Sequence, residues 1–370
     1  MNSYLQPATA RVTMGRSVRA RQRGLSLIEF LIAITLGLMI VAALTLLIAQ
    51  QSATQAEFEK SSRQIENGRY AMQILSDEVQ MAGYYGEFTK VGDITVPVAL
   101  PDPCVVTVAA IEAAMPFAVQ GYDFDSSSAA AGLGSCINIA NHKPDTDMLV
   151  VRRAEPDVVT IATAASGATG QVYLQTGLTG SFLEFAKKMG TGADTSVFTL
   201  YNKDKLTLSS LRKFSVRIYF ISPCSVPVAT NCTSAADGGK PIPTLKVVEL
   251  SSAGTMTTTP LVEGIENMQI DYGMDADSDG APDAKFVSTA AAVGDWANVM
   301  ALRVHLLARN NESSPGYNDG KTYSLGYNSA ASAQQVTAST DSYGNDVRGF
   351  KRRVFSQMIR LVNPSGRLDK

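Results

Sequence analysis

Two histidines, one tryptophan and four cysteines are thinly spread over 370 residues. A His-rich metal centre or a Ser-His-Asp machine therefore has little to draw on, and neither a C-x-x-C pair nor a G-x-S-x-G elbow occurs. Charged residues make up 18 %, below the roughly 25 % usual in soluble domains, so a disordered polyelectrolyte is excluded. Lys plus Arg number 32 against 34 Asp plus Glu, a net charge of −2 that gives no support to a nucleic-acid binder working by phosphate neutralisation. With 45 % hydrophobic residues, the chain must fold or enter a membrane.

The charge is unevenly placed. Arg11, Arg16, Arg19, Arg21 and Arg23 lie in the first 24 residues with no acid among them. Directly after them residues 25–49 form an apolar run of 25 residues whose only ionisable side chain is Glu29. A bilayer needs about 20 such residues. The run is too long for the apolar part of a cleaved secretory signal and ends without a small-x-small site, so the span is expected to stay in the mature protein. The arginines place its amino end in the cytoplasm and everything after residue 50 on the far side, the periplasm of a bacterium. A carboxylate inside a membrane helix is costly unless paired, which makes Glu29 a candidate contact residue.

Arg21-Gln22-Arg23-Gly24-Leu25-Ser26-Leu27-Ile28-Glu29-Phe30 resembles the processing site of type IV prepilins and pseudopilins: basic leader, glycine, apolar residue, small hydroxyl residue, aliphatics, glutamate. The resemblance implies that a prepilin peptidase cuts after Gly24 and that Leu25 becomes the methylated amino terminus. It further implies that Glu29 pairs with the amino terminus of a neighbouring subunit, removing two lone charges from lipid together. Leu25 replaces the family's phenylalanine and Ser26 its usual threonine.

The helical pattern continues past the membrane. From Gln50 to Ala82 there is no proline and one interior glycine, Gly68. Phe58, Ile65, Met72, Leu75 and Val79 form an apolar stripe among charged neighbours. One helix from Leu25 to Ala82 is expected, stopped by Gly83 and Gly86. Beyond it the composition turns to Thr, Ser, Ala, Val and Gly in short alternating runs, which predicts antiparallel sheet. The runs 214–220 and 300–307 read as strands with one buried face. Shorter candidates are 148–152, 158–162, 171–175, 197–201, 244–250, 268–272 and 354–361. Loops are expected at 121–135 and 326–342.

The cysteines suit an oxidising compartment. Bridges Cys104–Cys136 and Cys224–Cys232 are the simplest pairing, although four cysteines allow three pairings and spacing does not choose among them. His142 and His305 are remote in sequence from each other, and both are expected to be ordinary surface or edge histidines, His305 on the exposed face of its strand. The segment Asp275-Ala276-Asp277-Ser278-Asp279-Gly280-Ala281-Pro282-Asp283 matches the first nine positions of an EF-hand-type loop. Asp275, Asp277, Asp279 and Asp283 would offer carboxylates, Gly280 the sharp turn and Ala281 its carbonyl, making Ca²⁺ the candidate cofactor. Position 12 is Phe286 rather than a bidentate glutamate, so a strand-to-strand loop of weak, extracellular-type affinity is expected.

Further stretches narrow the resemblance. Asn67-Gly68-Arg69 with Ala82-Gly83, Leu261-Val262-Glu263-Gly264-Ile265-Glu266, Trp296-Ala297-Asn298-Val299 through Arg309, and Arg352-Arg353-Val354-Phe355 to Asn363 are similar to segments of PilW-type minor pilins. Residues 90–240 carry no recognised likeness. The resemblance implies an α+β type IV pilin fold: a cleaved leader (1–24), a transmembrane and assembly helix (25–49), its amphipathic continuation (50–82) and a β-rich head (83–370). It also implies a non-catalytic subunit that primes pilus assembly, sits at or near the fibre tip and supports adhesion and twitching motility. Its partners would be other minor pilins, the major pilin, a pilus-tip adhesin, the prepilin peptidase and the inner membrane, with no nucleic acid. Before assembly the head would lie in the periplasm, and afterwards in the pilus at the cell surface. The alternatives are a J-type pseudopilin of type II secretion, whose heads are usually shorter than these 288 residues, and a tip adhesin.

Overall fold

The structure is a computed structural model that describes residues 24, 26–124, 135–328 and 332–368. Most of the leader, and with it Leu25, lies outside the described residues. Two compact units are defined, Met1–Ala56 and Glu57–Lys370. Helix α1, Leu27–Met81, contributes residues to each. Its amino end is set by a capping box: the Ser26 amide donates to Glu29 Oε2 at 2.9 Å, and the Glu29 amide donates to Ser26 Oγ at 3.2 Å. Its carboxyl end is set by Gly83 and Gly86, both at positive φ (70° and 63°), as expected.

The first unit is the apolar part of α1, long and apolar enough to cross a membrane by length and composition. Its side chains from Leu27 to Ile48 are exposed.

The second unit is built of antiparallel strands, so the α+β expectation holds: a long N-terminal apolar helix followed by a sheet head. Strands β1 (Val119–Tyr122), β2 (Met148–Val159), β3 (Val172–Leu178), β4 (Phe185–Thr191), β5 (Leu211–Ser222), β6 (Thr244–Leu250) and β7 (Met256–Glu263) form a seven-stranded sheet. The long strand β5 pairs with β2 along one edge, and its other edge is shared between β3 at Leu211–Lys213 and β6 at Arg217–Ser222. Strands β8 (Ile265–Met274), β9 (Phe286–Val287), β10 (Val299–Arg309) and, after the hairpin of β11 (Thr322–Tyr327) with β12 (Ala333–Thr337), β13 (Arg352–Arg360) complete the set. The second sheet has the order β13-β10-β8-β9.

The central strands β5, β8 and β10 are buried on both faces, which corrects the expectation of one buried face for residues 214–220 and 300–307. On β5, Tyr219 and Ile221 join the central core with Ala71, Met72, Leu75 and Val79 of α1 and with Val304 and Leu306 of β10. The alternate residues Phe214, Val216, Ile218 and Phe220 are covered by Tyr85, Phe88, Ile111, Met115 and Phe124 of the segment that follows the helix. A sheet covered on both sides reads as a near-continuous apolar run, and its alternation hides the second layer.

Three other expectations give way to side-chain chemistry. Phe58 is 73 % exposed and leaves the stripe; the helix instead buries Gln64, Gly68, Ala71, Met72, Leu75 and Val79. Residues 158–162 divide between the end of β2 and a short helix, Ile161–Ser166, whose N-cap Thr160 accepts from the Thr163 amide at 3.1 Å. Residues 197–201 make no strand. There the side chain of Gln175 takes the place of a ladder partner, accepting from the Leu200 amide at 3.0 Å and donating to the Leu200 carbonyl at 3.2 Å. The loop expected at 326–342 contains β12. Strands β1, β4, β7, β9, β11 and β12 lie outside the nine expected.

The helix and the last strand approach most closely at Gly68. A Cβ on Gly68 would overlap the Phe355 ring of β13, so only glycine lets the last strand lie against the first helix. Alanine would gain about 1 kcal/mol of helix propensity, but overpacking costs about 1–3 kcal/mol. Gly68→Ala is therefore expected to lower the melting temperature of the full chain in detergent, and adding Phe355→Leu to restore part of the loss. An unchanged melting temperature would mean that the ring swings aside freely.

Candidate functional site

Three places carry the residues that the sequence singles out. The first is the start of α1. Gly24 has open space around it, and Glu29 is exposed one turn into the helix with its carboxylate on the Ser26 amide. A cut after Gly24 would create an α-amino group at Leu25, the residue next to that amide.

The second is the aspartate loop, which joins β8 to β9 as a strand-to-strand loop. Carboxylate oxygens of Asp275, Asp277 and Asp279 lie within 4.8 Å of one another. Asp275 is buried and turns the loop, accepting from the Asp279 amide at 3.2 Å and the Gly280 amide at 2.9 Å. Gly280 (φ 85°) supplies the left-handed turn. The charge of Asp279, first, and a hydrogen bond with Asp275 push the Asp277 carboxyl above its ordinary range, the signature of acids crowded together without a counter-charge. Asp283 stands apart and accepts from the Ala276 amide at 3.1 Å. Ala281 donates its amide to Asp279 Oδ1 at 2.8 Å. Phe286 belongs to β9 and lies beneath the Arg303 guanidinium, 4.3 Å from the ring centroid. The donor set that fits a hard cation is therefore Asp275, Asp277 and Asp279, three oxygens of the six to eight that Ca²⁺ takes.

The third is the pair of disulfides. Cys104 is joined to Cys136 and Cys224 to Cys232.

Both histidines are buried rather than exposed. His305 is covered because the β11–β12 hairpin lies over that face of β8 and β10. Its Nδ1 meets Ser356 Oγ at 2.8 Å and its Nε2 meets Asp271 Oδ2 at 3.3 Å, while Asp271 also accepts from the Tyr327 amide at 2.9 Å. His142 packs on Phe124 (4.6 Å between ring centroids), with Nε2 3.0 Å from the Thr146 carbonyl. Burial pushes it down to about 4.

Two buried ion networks escaped the sequence reading. Glu78 of α1 joins Arg153 of β2 and, at 2.5 Å, Arg217 of β5; Glu155 bridges the same two arginines. Glu266 of β8 takes both Nε (2.5 Å) and Nη2 (3.0 Å) of Arg352, whose Nη1 meets Asp319 at 3.2 Å. Charged residues inside otherwise apolar stretches, as in Ile265-Glu266 and Arg352-Arg353-Val354-Phe355, are the available signal. Removing one partner from such a set leaves a buried charge unanswered.

Two family models match this geometry. The prokaryotic N-terminal methylation motif covers residues 19–45, and with it Gly24, Leu25 and Glu29. The type IV pilus-assembly protein W model covers residues 228–363, and with it the aspartate loop, the four-stranded sheet and the Glu266–Arg352–Asp319 network. Among solved structures, a type IV-like pilin from Thermus thermophilus is similar at 12 % identity, covering 55 % of this chain and 90 % of that one with a TM-score of 0.21. No curated protein matches the chain. The methylation motif thus falls at the start of the long apolar helix. The likeness to the type IV pilus-assembly protein W model is confined to residues 228–363.

The displaced histidine generates a pH prediction. His142 titrates near 4 in the fold and at about 6.5 when unfolded. Below the unfolded value the unfolded chain takes up the proton first, so stability is full above pH 6.5 and falls as pH drops toward 4. His142→Gln should flatten this slope in urea titrations of the full chain, whereas parallel curves would place the acid sensitivity elsewhere.

Proposed function

We propose that this chain is a minor pilin that helps prime type IV pilus assembly and is incorporated at or near the fibre tip, where it supports adhesion and twitching motility. The observation that carries the reading is the union of a methylation motif with Glu29 poised one turn into an apolar helix. A prepilin peptidase would cut after Gly24 and leave Leu25 as the methylated terminus. Residues 25–49 would pack among the helices of other minor pilins and the major pilin, with Glu29 accepting a neighbour's terminal amine. The same apolar helix would hold the subunit in the inner membrane, with its head in the periplasm, until extraction into the fibre. The head would offer its surface to partner subunits and to a tip adhesin. A J-type pseudopilin of type II secretion would share the helix and the signal; the 288 residues after the helix favour the pilus.

The test is genetic and chemical. Gly24→Ala should retain residues 1–24 in the intact mass, and Glu29→Ala should be processed and yet be recovered from sheared pili at about a tenth of the wild-type amount, as expected for the loss of a charge-assisted contact in lipid. Normal incorporation of Glu29→Ala would refute the pairing. Loss of secretion rather than of pili on deletion would transfer the chain to the pseudopilins.

We further propose that Asp275, Asp277 and Asp279 hold Ca²⁺ at weak, extracellular-type affinity, about 10⁻⁴ to 10⁻³ M. The crowding that raises Asp277 supports it. A calcium-dependent rise in melting temperature at about 5 mM, lost in Asp277→Asn, is expected; identical melting with and without calcium would remove the cation from the account.

A further inference from the structure

The chain has only two histidines, yet one of them stands between a serine and a buried aspartate. On the face of the four-stranded sheet that the β11–β12 hairpin crosses, strands β10 and β13 set His305 directly opposite Ser356. Strand β8 sets Asp271 opposite Arg303, one diagonal step from His305. Ser356 Oγ lies 2.8 Å from His305 Nδ1, and Asp271 Oδ2 lies 3.3 Å from Nε2 across the ring. Burial deepens along this line: Ser356 is exposed, His305 is buried and Asp271 is wholly enclosed.

The inner end fixes the polarity of the chain of hydrogen bonds. The Asp271 carboxylate only accepts; its Oδ1 takes the Tyr327 amide at 2.9 Å, and its Oδ2 faces Nε2 with Arg303 Nη1 at 3.9 Å. Nε2 therefore carries the ring proton, and the lone pair of Nδ1 faces the Ser356 hydroxyl. This is the order nucleophile, base, orienting acid that acyl transfer requires. Gly326 (φ 67°) lets the hairpin close over the inner two members, because a Cβ there would fall 2.8 Å from Asp271 Oδ1 and 3.0 Å from His305 Cδ2. Water is kept from the acid and the base, while the serine stays accessible.

The outer end supplies a donor and a surface. The Asn310 amide bonds to the Lys351 carbonyl at 3.0 Å and the Leu361 amide to the Met300 carbonyl at 2.8 Å. The odd-numbered residues of β13 thus pair with β10, and the amides of even-numbered ones point away from it. Because β13 is the outermost strand of its sheet, the Ser356 and Met358 amides are directed to the open edge. A nucleophile's own amide in that position can donate to the oxyanion of a tetrahedral intermediate. Val354 and Met358 flank Ser356 on the same face, and Met358 is 62 % exposed, which gives a short acyl chain an apolar surface.

We propose that Ser356, His305 and Asp271 form an acyl-transfer site that hydrolyses esters of short carboxylic acids. Ser356 Oγ bonds to the acyl carbon as its proton passes to Nδ1, the bond to the alcohol breaks, and the alcohol leaves with that proton. Water then gives a proton to Nδ1 and attacks the acyl carbon. The acid departs, and Ser356 recovers the proton. Asp271 is the positioning residue that holds the ring.

The experiment uses the full chain in dodecyl maltoside, with a fluorophosphonate–biotin probe for the nucleophile and p-nitrophenyl acetate for steady-state turnover. Peptide mass mapping should find the probe on Ser356, and Ser356→Ala should bring hydrolysis down to the rate of buffer with detergent. His305→Gln keeps a polar group opposite Ser356 but cannot carry the proton, and should slow labelling and turnover about a hundredfold. Asp271→Asn should lower kcat by about the same factor with KM unchanged, a split that a merely structural role would not produce. Melting curves check the fold of each variant, and Ser356→Ala, at an exposed position, tests the site even where an interior variant unfolds. The proposal is overturned if no adduct forms on Ser356, if Ser356→Ala turns over the ester as the wild type does, or if folded His305→Gln is labelled at the wild-type rate. None of these outcomes touches the pilin reading, which rests on the amino-terminal helix.

Discussion

The head of this protein rests on one packing contact: the face of α1 that carries Ala71, Met72, Leu75 and Val79, held among residues of both sheets. Neither sheet could close its inner face without it, because Tyr219 and Ile221 of β5 and Val304 and Leu306 of β10 meet over that helix. The helix is also fixed by polar groups that have no freedom to slide. Gln64 donates to the Ala308 carbonyl at 2.8 Å and to the Lys351 carbonyl at 2.9 Å. Glu78 draws in arginines from two strands, and Glu57 meets Lys351 at 2.6 Å. The Lys351 hydrogen bond, joined by Ser314, holds the Glu57 carboxyl down to about 2. Apolar burial supplies the driving force, and these bonds set the register.

Much of this was legible in the residues. The apolar run, its arginine flank and the glycines at Gly83 and Gly86 define the helix because each acts locally, through transfer free energy, charge or φ. The strands at 214–220 and 300–307 were legible through alternation. What alternation could not convey is what covers the other side. The segment 85–124 buries the outer face of the seven-stranded sheet, and the β11–β12 hairpin encloses His305 with Asp271. Those are encounters between residues far apart in sequence, and nothing in the local pattern of either partner announces them. Gln175 replacing a strand partner for Leu200 is a case of the same kind.

The candidate site divides along that line. The N-terminal residues Gly24 and Glu29 are a linear motif, and the capping box between Ser26 and Glu29 adds only that the carboxylate is held in place. The aspartate loop was visible as spacing, yet Asp283 faces Ala276 rather than the other three carboxylates, because the loop bends at Gly280. The arginines and glutamates of the two buried networks look like surface charge until the strands are assembled. Their positions on β2, β5, β8 and β13 tie each to a partner at least 62 residues away for Arg217 with Glu155 and 86 for Arg352 with Glu266.

The contact of Gly68 with Phe355 has a temporal side. Phe355 stands on the last strand, and Gln357 and Asn363 reach back to Ser76 and Ala82 across 281 residues. Such distant closures are the slowest to form. A chain cut short upstream of β13 would therefore lack the ring that covers Gly68, and that stretch of the helix would stay bare.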